Sequence, residues 1–197
     1  MQQFKSKDYV TILLVITNIA VYIFCTIQGN VLYNMGSLSV VDIINRQEYY
    51  RILTSLFLHA NPQHIWGNMI FLAALGDMLE RSIGHGRFFA IYMLAGIGGN
   101  LLSMGHELAT GQFCSTIGAS GAVFGLIGAL LLLICKNNGT YGQISFRRMI
   151  FAIVYLFYSG IQSETTNNMA HLGGFITGFA VMAVFFFSTR RRYKRIR

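Results

Sequence analysis

The sequence predicts an all-α polytopic membrane protein, a bundle of six transmembrane helices with a long membrane-associated first outer loop. The first observation is composition. Of 197 residues, 54% are hydrophobic and only 11% are charged, and the mean hydropathy is +0.52, which is too apolar for an ordinary soluble domain. The second observation is that the apolar runs approach the roughly 20 residues that a helix needs to cross the bilayer. Long runs of this kind, without ten-residue alternation, indicate helices and not a barrel.

Six apolar windows give the predicted spans. The first window has a basic flank and an apolar run longer than the core of a typical signal peptide, so we expect it to remain as a spanning helix. No linker or shift in composition divides the chain, which predicts one integral membrane domain over residues 1–197. The predicted spans cover about 10–28, 62–79, 87–105, 118–135, 147–162 and 169–188, followed by a basic tail at 189–197.

The connection between the first two windows, residues 29–61, is long and not very polar. A connection of this length and apolarity predicts short helices lying in the membrane interface, with Tyr49 and Tyr50 at headgroup depth. Such a segment could serve as a gate or as a structural brace.

The distribution of Lys and Arg predicts the orientation. Six spans put both termini on one side, and all but two of the 15 cations lie on that side; Arg46 and Arg51 are the exceptions. The positive-inside rule therefore predicts cytoplasmic termini in the cell membrane. A basic tail joined directly to a spanning helix is expected to meet anionic lipid headgroups, with no nucleic-acid partner.

Intramembrane polar residues are costly and suggest function. His64 and Asn68 begin the second predicted span, Ser120 begins the fourth, and His171 begins the sixth. The chain enters each even-numbered helix from the outside, so these four side chains share one depth near the outer surface. This convergence predicts a site that opens to the extracytoplasmic side.

Small-residue stripes run along the fourth and sixth spans and predict that these helices pack closely. Close packing would carry Ser120 toward His171. The alternative is that both stripes serve packing alone, with Ser120 bonding back to its own helix. The stripes consist of Gly118, Gly121, Gly125 and Gly128 in the fourth span and Ala170, Gly174 and Gly178 in the sixth.

A serine hydroxyl becomes a useful nucleophile when an adjacent histidine removes its proton, and the resulting oxyanion needs nearby donors. Asn68, His64 and the backbone N–H groups at Ser120 are candidate donors. The nearest acid before His171 is Glu164, seven residues earlier, which favours a dyad with His171 and no third member.

Metal chemistry is not predicted. The HExxH signature of zinc proteases is missing, and three imidazoles, His59, His64 and His171, would lack carboxylate or cysteine support. We expect neither a metal nor a cofactor.

These motifs together resemble the rhomboid family of intramembrane serine proteases in its compact six-helix form, from about Arg51 to Ala183. The family's first-loop Arg and His, its His-x-x-x-Asn, its Gly-x-Ser-Gly and its Ala-His-x-x-Gly-x-x-x-Gly all occur in order. They are matched by Arg51 with His59, by His64 with Asn68, by Gly118, Ser120 and Gly121, and by Ala170, His171, Gly174 and Gly178.

The resemblance implies a serine endopeptidase with Ser120 as nucleophile and His171 as general base. It implies an oxyanion hole formed by His64, Asn68 and the Ser120 backbone, and substrates that are themselves membrane-spanning helices. Two alternatives stay open: an inactive relative that binds membrane clients, and a small transporter, since intramembrane His and Asn also mark ion paths. The physiological substrate, the gating element and the oligomeric state are not predicted.

Overall fold

The structure is a computed structural model that describes residues 8–29, 31–162 and 166–194, with side chains described up to residue 188. Lys5, Lys7 and Glu164 lie outside the described residues, as do the side chains of the basic tail at 189–197, so the expected contact of this tail with lipid stays a prediction.

The described part of the chain is a helical bundle with one short hairpin, and it bears out the all-α expectation. Each predicted span corresponds to one helix. The helices are α1 (Tyr9–Gln28), α2 (Val31–Gly36), α3 (Val40–Arg46), α4 (Arg51–Thr54), α5 (Pro62–Ile83), α6 (His85–Thr110), α7 (Ser120–Lys136), α8 (Phe146–Ile161) and α9 (Asn168–Lys194), with a 3-10 turn at Ser55–Phe57 and antiparallel strands β1 (Thr140–Tyr141) and β2 (Ile144–Ser145).

Among the described residues, three helices are long and apolar enough to cross a membrane: α1, α6 and the part of α9 from Asn168 to Ser188. Helix α7 is a shorter apolar helix. These features support an integral, multi-pass membrane protein.

The connection between α1 and α5 folds into the short helices α2, α3 and α4, as the sequence predicted. Its centre is the buried side chain of Arg51, whose guanidinium donates to the carbonyls of Asn34 (2.8 Å) and Ser37 (3.0 Å). Arg51 also pairs with Glu48 at 2.6 Å and Asp42 at 3.5 Å. A buried charge with this many partners holds the connection in one shape, which favours a structural brace.

Helices α6, α7 and α9 make the most extensive contacts within the described chain. The glycine stripes explain the close approach of α7 and α9. A Cβ added at Gly174 would overlap the carbonyl oxygen of Gly121, and one added at Gly178 would overlap that of Gly125. The backbones of the two helices are therefore in direct contact.

The start of α1 is held by a buried carboxylate from α5. Glu80 accepts hydrogen bonds from the backbone N–H groups of Val10 (2.8 Å) and Thr11 (2.7 Å) and from the Thr11 hydroxyl (2.6 Å). The two backbone N–H groups are donors that a helix leaves unpaired at its start. Glu80 therefore secures α1 to the bundle.

Candidate active site

The centre of the site is a hydrogen bond between the two helix starts that the glycine stripes bring together. His171 Nε2 lies 2.9 Å from Ser120 Oγ. Ser120 is the first residue of α7, and His171 is in the first turn of α9. The distance suits proton transfer from the hydroxyl to the imidazole.

Among the described residues, the imidazole of His171 is held by an aromatic ring and not by an acid. The Phe124 ring, one turn after Ser120, stacks on it with centroids 4.1 Å apart and planes 11° apart. His171 Nδ1 is buried and has no hydrogen-bond partner among the described residues. The pair is therefore a dyad in the described part of the chain.

Gly118 shapes the backbone just before the serine. Its φ of +129° lies in a region that favours glycine, and its N–H donates to the carbonyl of Ser55 at 2.8 Å. A Cβ on Gly118 would come within 2.7 Å of His64 Nε2 and 3.8 Å of Ser120 Oγ. The His64 ring therefore packs closely against Gly118, and a larger residue at position 118 would displace this ring.

The first turn of α5 fixes the position of His64. Asn61 Oδ1 accepts the His64 N–H at 2.8 Å and caps the helix. Asn68, four residues on, donates from Nδ2 to the His64 carbonyl at 2.9 Å. One of the two amide hydrogens expected to serve an oxyanion is thus engaged within α5.

His59 supports the segment that leads into α7. It is fully buried. Its Nε2 accepts a hydrogen bond from the backbone N–H of Ala119, with 3.5 Å between the two nitrogens. Its ring packs edge-on against the ring of His64, with the ring centroids 5.1 Å apart. His59 lies before α5, outside the predicted spans. Burial, reinforced by the nearby His64, lowers the pKa of His59 to about 4, so its ring is neutral near pH 7.

A cavity of about 890 Å³ opens beside the pair and is lined by Ser120, His171 and His64. Asn68 is not among the described residues that line it. The volume of the cavity gives room for a peptide segment. Its lining contains polar as well as apolar groups, and the polar groups can bind water next to Ser120.

The polar lining includes a hydrogen-bonded chain that the sequence analysis did not identify. Ser103 Oγ donates to Glu107 Oε1 at 3.1 Å, and Asn167 Nδ2 donates to Ser103 Oγ at 2.6 Å. Cys114 closes the far end, its N–H donating to Glu107 Oε2 at 3.3 Å. One signal was available in the sequence: Asn167 precedes an apolar run at the position that caps a helix.

Across residues 8–29, 31–162 and 166–194, no group of three or more His, Cys, Asp or Glu side chains is placed to hold an ion.

The chain is similar to known proteins over most of its length. The family model described as "Rhomboid domain" matches residues 46–188. The chain is 37% identical over 156 residues to RHOMBOID-like protein 1 of Arabidopsis thaliana, covering 78% of this chain and 39% of the relative. It is 34% identical over 142 residues to rhomboid protease GluP of Bacillus subtilis, covering 72% and 27%.

A third relative, Rhomboid-like protease 1 of Toxoplasma gondii, is 33% identical over 163 residues, which cover 78% of this chain and 52% of the relative. The chain thus spans between about a quarter and about a half of the length of these relatives.

Proposed function

The chain belongs to the rhomboid family, and we propose that it is an intramembrane serine endopeptidase that hydrolyses peptide bonds in or near the transmembrane segments of other membrane proteins. The observation that carries the proposal is the 2.9 Å contact between His171 Nε2 and Ser120 Oγ beside a cavity with polar lining.

The reaction follows from this contact. Ser120 Oγ attacks the scissile carbonyl carbon while His171 Nε2 takes the hydroxyl proton. His171 then gives this proton to the leaving amine, and the carbon–nitrogen bond breaks to leave an acyl-enzyme on Ser120. A water molecule, deprotonated by His171, hydrolyses that ester and restores the hydroxyl.

The oxyanion of each tetrahedral intermediate needs donors close to Ser120. We assign this role to the backbone N–H of Ser120, which lies at the unpaired start of a helix, and to the ring of His64. Asn68 Nδ2 carries two hydrogens. One is donated to the His64 carbonyl, and the other is the third donor to the oxyanion. Gly118, Gly121, Gly174, Gly178 and His59 are supporting residues that allow or hold this arrangement.

We further propose that residues 1–197 form one membrane domain in which α1, α5, α6, α7, α8 and α9 all cross the bilayer. Both termini are then cytoplasmic, and the starts of α5, α7 and α9 lie near the outer surface. The cavity at those starts would give water access to Ser120 from the extracytoplasmic side.

The test is cleavage of a single-span substrate by the purified chain in liposomes, compared with Ser120→Ala. The wild type should release two fragments, and Ser120→Ala should release none. Ser159→Ala is the matched control, because it removes an exposed hydroxyl that donates to Leu156 in its own helix; its activity should match the wild type. Equal cleavage by wild type and Ser120→Ala would refute the assigned nucleophile. Failure of the wild type on a broad panel of substrates would favour a client-binding relative.

A further inference from the structure

The dyad raises the question of what aligns His171, since its Nδ1 has no partner among the described residues. A third residue that holds the imidazole usually supplies this alignment. Here the hydrogen bonds from Asn167 to Ser103 and from Ser103 to Glu107 offer another means of alignment, which acts through the backbone that carries His171.

Asn167 connects this backbone to two other parts of the site. Its Oδ1 accepts the N–H of Ala170 at 3.0 Å, and its own carbonyl accepts the N–H of His171 at 3.2 Å. Its Nδ2 donates to Ser103 Oγ at 2.6 Å on α6 and to Thr116 Oγ1 at 2.8 Å. Every hydrogen-bonding group of this amide side chain is therefore directed at a partner.

Glu107 determines which way the Asn167 amide points. A carboxylate only accepts, so the Ser103 hydroxyl must donate to it, at 3.1 Å. The Ser103 oxygen is left to accept, which requires the NH₂ of Asn167 on that side. The Asn167 oxygen then faces the start of α9, where unpaired backbone donors need an acceptor.

Thr116 links the same amide to the segment that carries the nucleophile. The backbone of Thr116 pairs with Leu38 through two hydrogen bonds, of 2.9 and 3.0 Å. Four residues later the chain reaches Ser120. Asn167 thus joins the segment before the nucleophile to the turn of α9 that carries the base.

We propose that Asn167 is a positioning residue that fixes His171 against Ser120, a task that an acid on the imidazole performs in a triad. It acts through the first turn of α9 and does not touch the reacting atoms. This inference rests on the proposed function, since it concerns the alignment of the same dyad.

The test compares Asn167→Ser with Ser145→Ala in the 197-residue chain. Serine keeps an acceptor for the cap of α9 but loses the two amide donors. Ser145→Ala removes a cap of the same kind from α8, where Ser145 Oγ accepts the N–H of Arg148 at 3.4 Å. Two measurements are made on each: the rate at which a fluorophosphonate labels Ser120, and kcat and KM for a single-span substrate.

Asn167→Ser should slow labelling and lower kcat by roughly 10- to 100-fold, with KM within about twofold of wild type, because the loss concerns alignment and not binding. Ser145→Ala should leave both rates unchanged even if its Tm falls. Ser103→Ala should slow labelling similarly, and the double variant should be no slower than either single one, because both changes break the same link. The inference would be overturned if Asn167→Ser is labelled at the wild-type rate, or if the reductions in labelling rate are additive in the double variant.

Hydrogen exchange separates this inference from the proposed function. The amides of Ala170 and His171 should exchange faster in Asn167→Ser than in wild type, whether or not the chain is a protease. If the wild type is not labelled at Ser120, the proposed function fails, and the exchange rates still decide whether Asn167 holds this turn. Unchanged exchange would refute the positioning role.

Discussion

At the scale of single residues, the orientation of His171 depends on packing. Phe124 stacks on the imidazole nearly in parallel, at 4.1 Å, and both side chains are buried. A flat ring on one face restricts rotation of the imidazole about its own bond to Cβ, which keeps Nε2 aimed at Ser120. An aliphatic side chain of similar volume would fill the space without this restriction.

Phe124→Leu should therefore lower kcat/KM by roughly 2- to 10-fold, in line with about 0.5–1.5 kcal/mol for an aromatic pair. The measurement is steady-state cleavage of a single-span substrate in liposomes. Phe151→Leu is the control, because Phe151 is 75% exposed on α8 and stacks on no ring among the described residues. Equal effects of the two changes would show that the stacking does not contribute.

His59 gives the protein a dependence of stability on pH. Its pKa is about 4 in the folded chain and near 6.5 in the unfolded chain. Above pH 6.5 both forms are neutral and His59 has no effect. Between pH 6.5 and 4 the unfolded chain binds a proton that the folded chain excludes, so His59 lowers the free energy of unfolding as the pH falls, by up to roughly 3 kcal/mol.

We expect the Tm in detergent to fall from pH 7 to pH 4.5, and to fall less in His59→Gln, which does not titrate. His106→Gln serves as the control, since His106 is exposed and its replacement should leave the fall in Tm unchanged. A His59→Gln variant with the same loss of Tm as the wild type would contradict this origin of the pH dependence.

The kinds of residue in the site were predictable, but some of their partners were not. Ser120, His171 and His64 stand out as polar groups at the starts of apolar helices, and helix direction places them at one level. The bond from Asn68 to the His64 carbonyl and the chain from Glu107 to Asn167 depend on rotamers and on contacts between distant segments. Spacing in the sequence does not contain that information.

At the scale of helices, the contact between α7 and α9 sets the distance between Ser120 and His171. Glycines on the two helices face backbone carbonyls of the partner, and there is no room for a Cβ at Gly174 or Gly178. Widening the contact by one methyl group would move one helix start relative to the other.

Gly178→Ala should destabilise the folded chain by about 1–3 kcal/mol and reduce cleavage, because the new methyl group overlaps the Gly125 carbonyl. Gly105→Ala is the control: Gly105 lies within α6 with no atom within 4 Å of an added Cβ, so alanine should be neutral or slightly stabilising. The measurements are Tm in detergent and cleavage in liposomes. The prediction is wrong if Gly178→Ala is as stable as Gly105→Ala.

Helix positions were predictable from hydropathy, and helix ends were less so. The window at 62–79 corresponds to a helix that continues to Ile83, and the window at 87–105 to one that runs from His85 to Thr110. Polar residues at these ends keep helical hydrogen bonds without being apolar, so a hydropathy window stops before the helix does. The hairpin at Thr140–Ser145 escaped prediction because it is held by turns, with Gly139 and Gly142 at positive φ, and not by a hydrophobic pattern.

At the scale of the whole molecule, two exposed cysteines report on the proposed orientation. Cys114 lies between α6 and α7 on the proposed outer side, and Cys135 lies at the end of α7 on the proposed cytoplasmic side. Partial burial of the thiol and the neighbouring Glu107 carboxylate raise the pKa of Cys114, so alkaline conditions favour its labelling.

With an impermeant maleimide at about pH 8.5, intact cells should show labelling at Cys114, and permeabilised cells at both cysteines. Cys114→Ser and Cys135→Ser assign each signal to one thiol. Labelling of Cys135 but not Cys114 in intact cells would invert the proposed orientation.

The central claim is that His171 activates Ser120 as a nucleophile, and covalent labelling tests it most directly. The wild-type chain, His171→Gln and Ser120→Ala are treated with a fluorophosphonate, and peptide mass spectrometry locates the adduct. We predict an adduct on Ser120 in the wild type, none in Ser120→Ala, and a rate reduced at least about 100-fold in His171→Gln. An adduct elsewhere, or an unchanged rate in His171→Gln, would contradict the account.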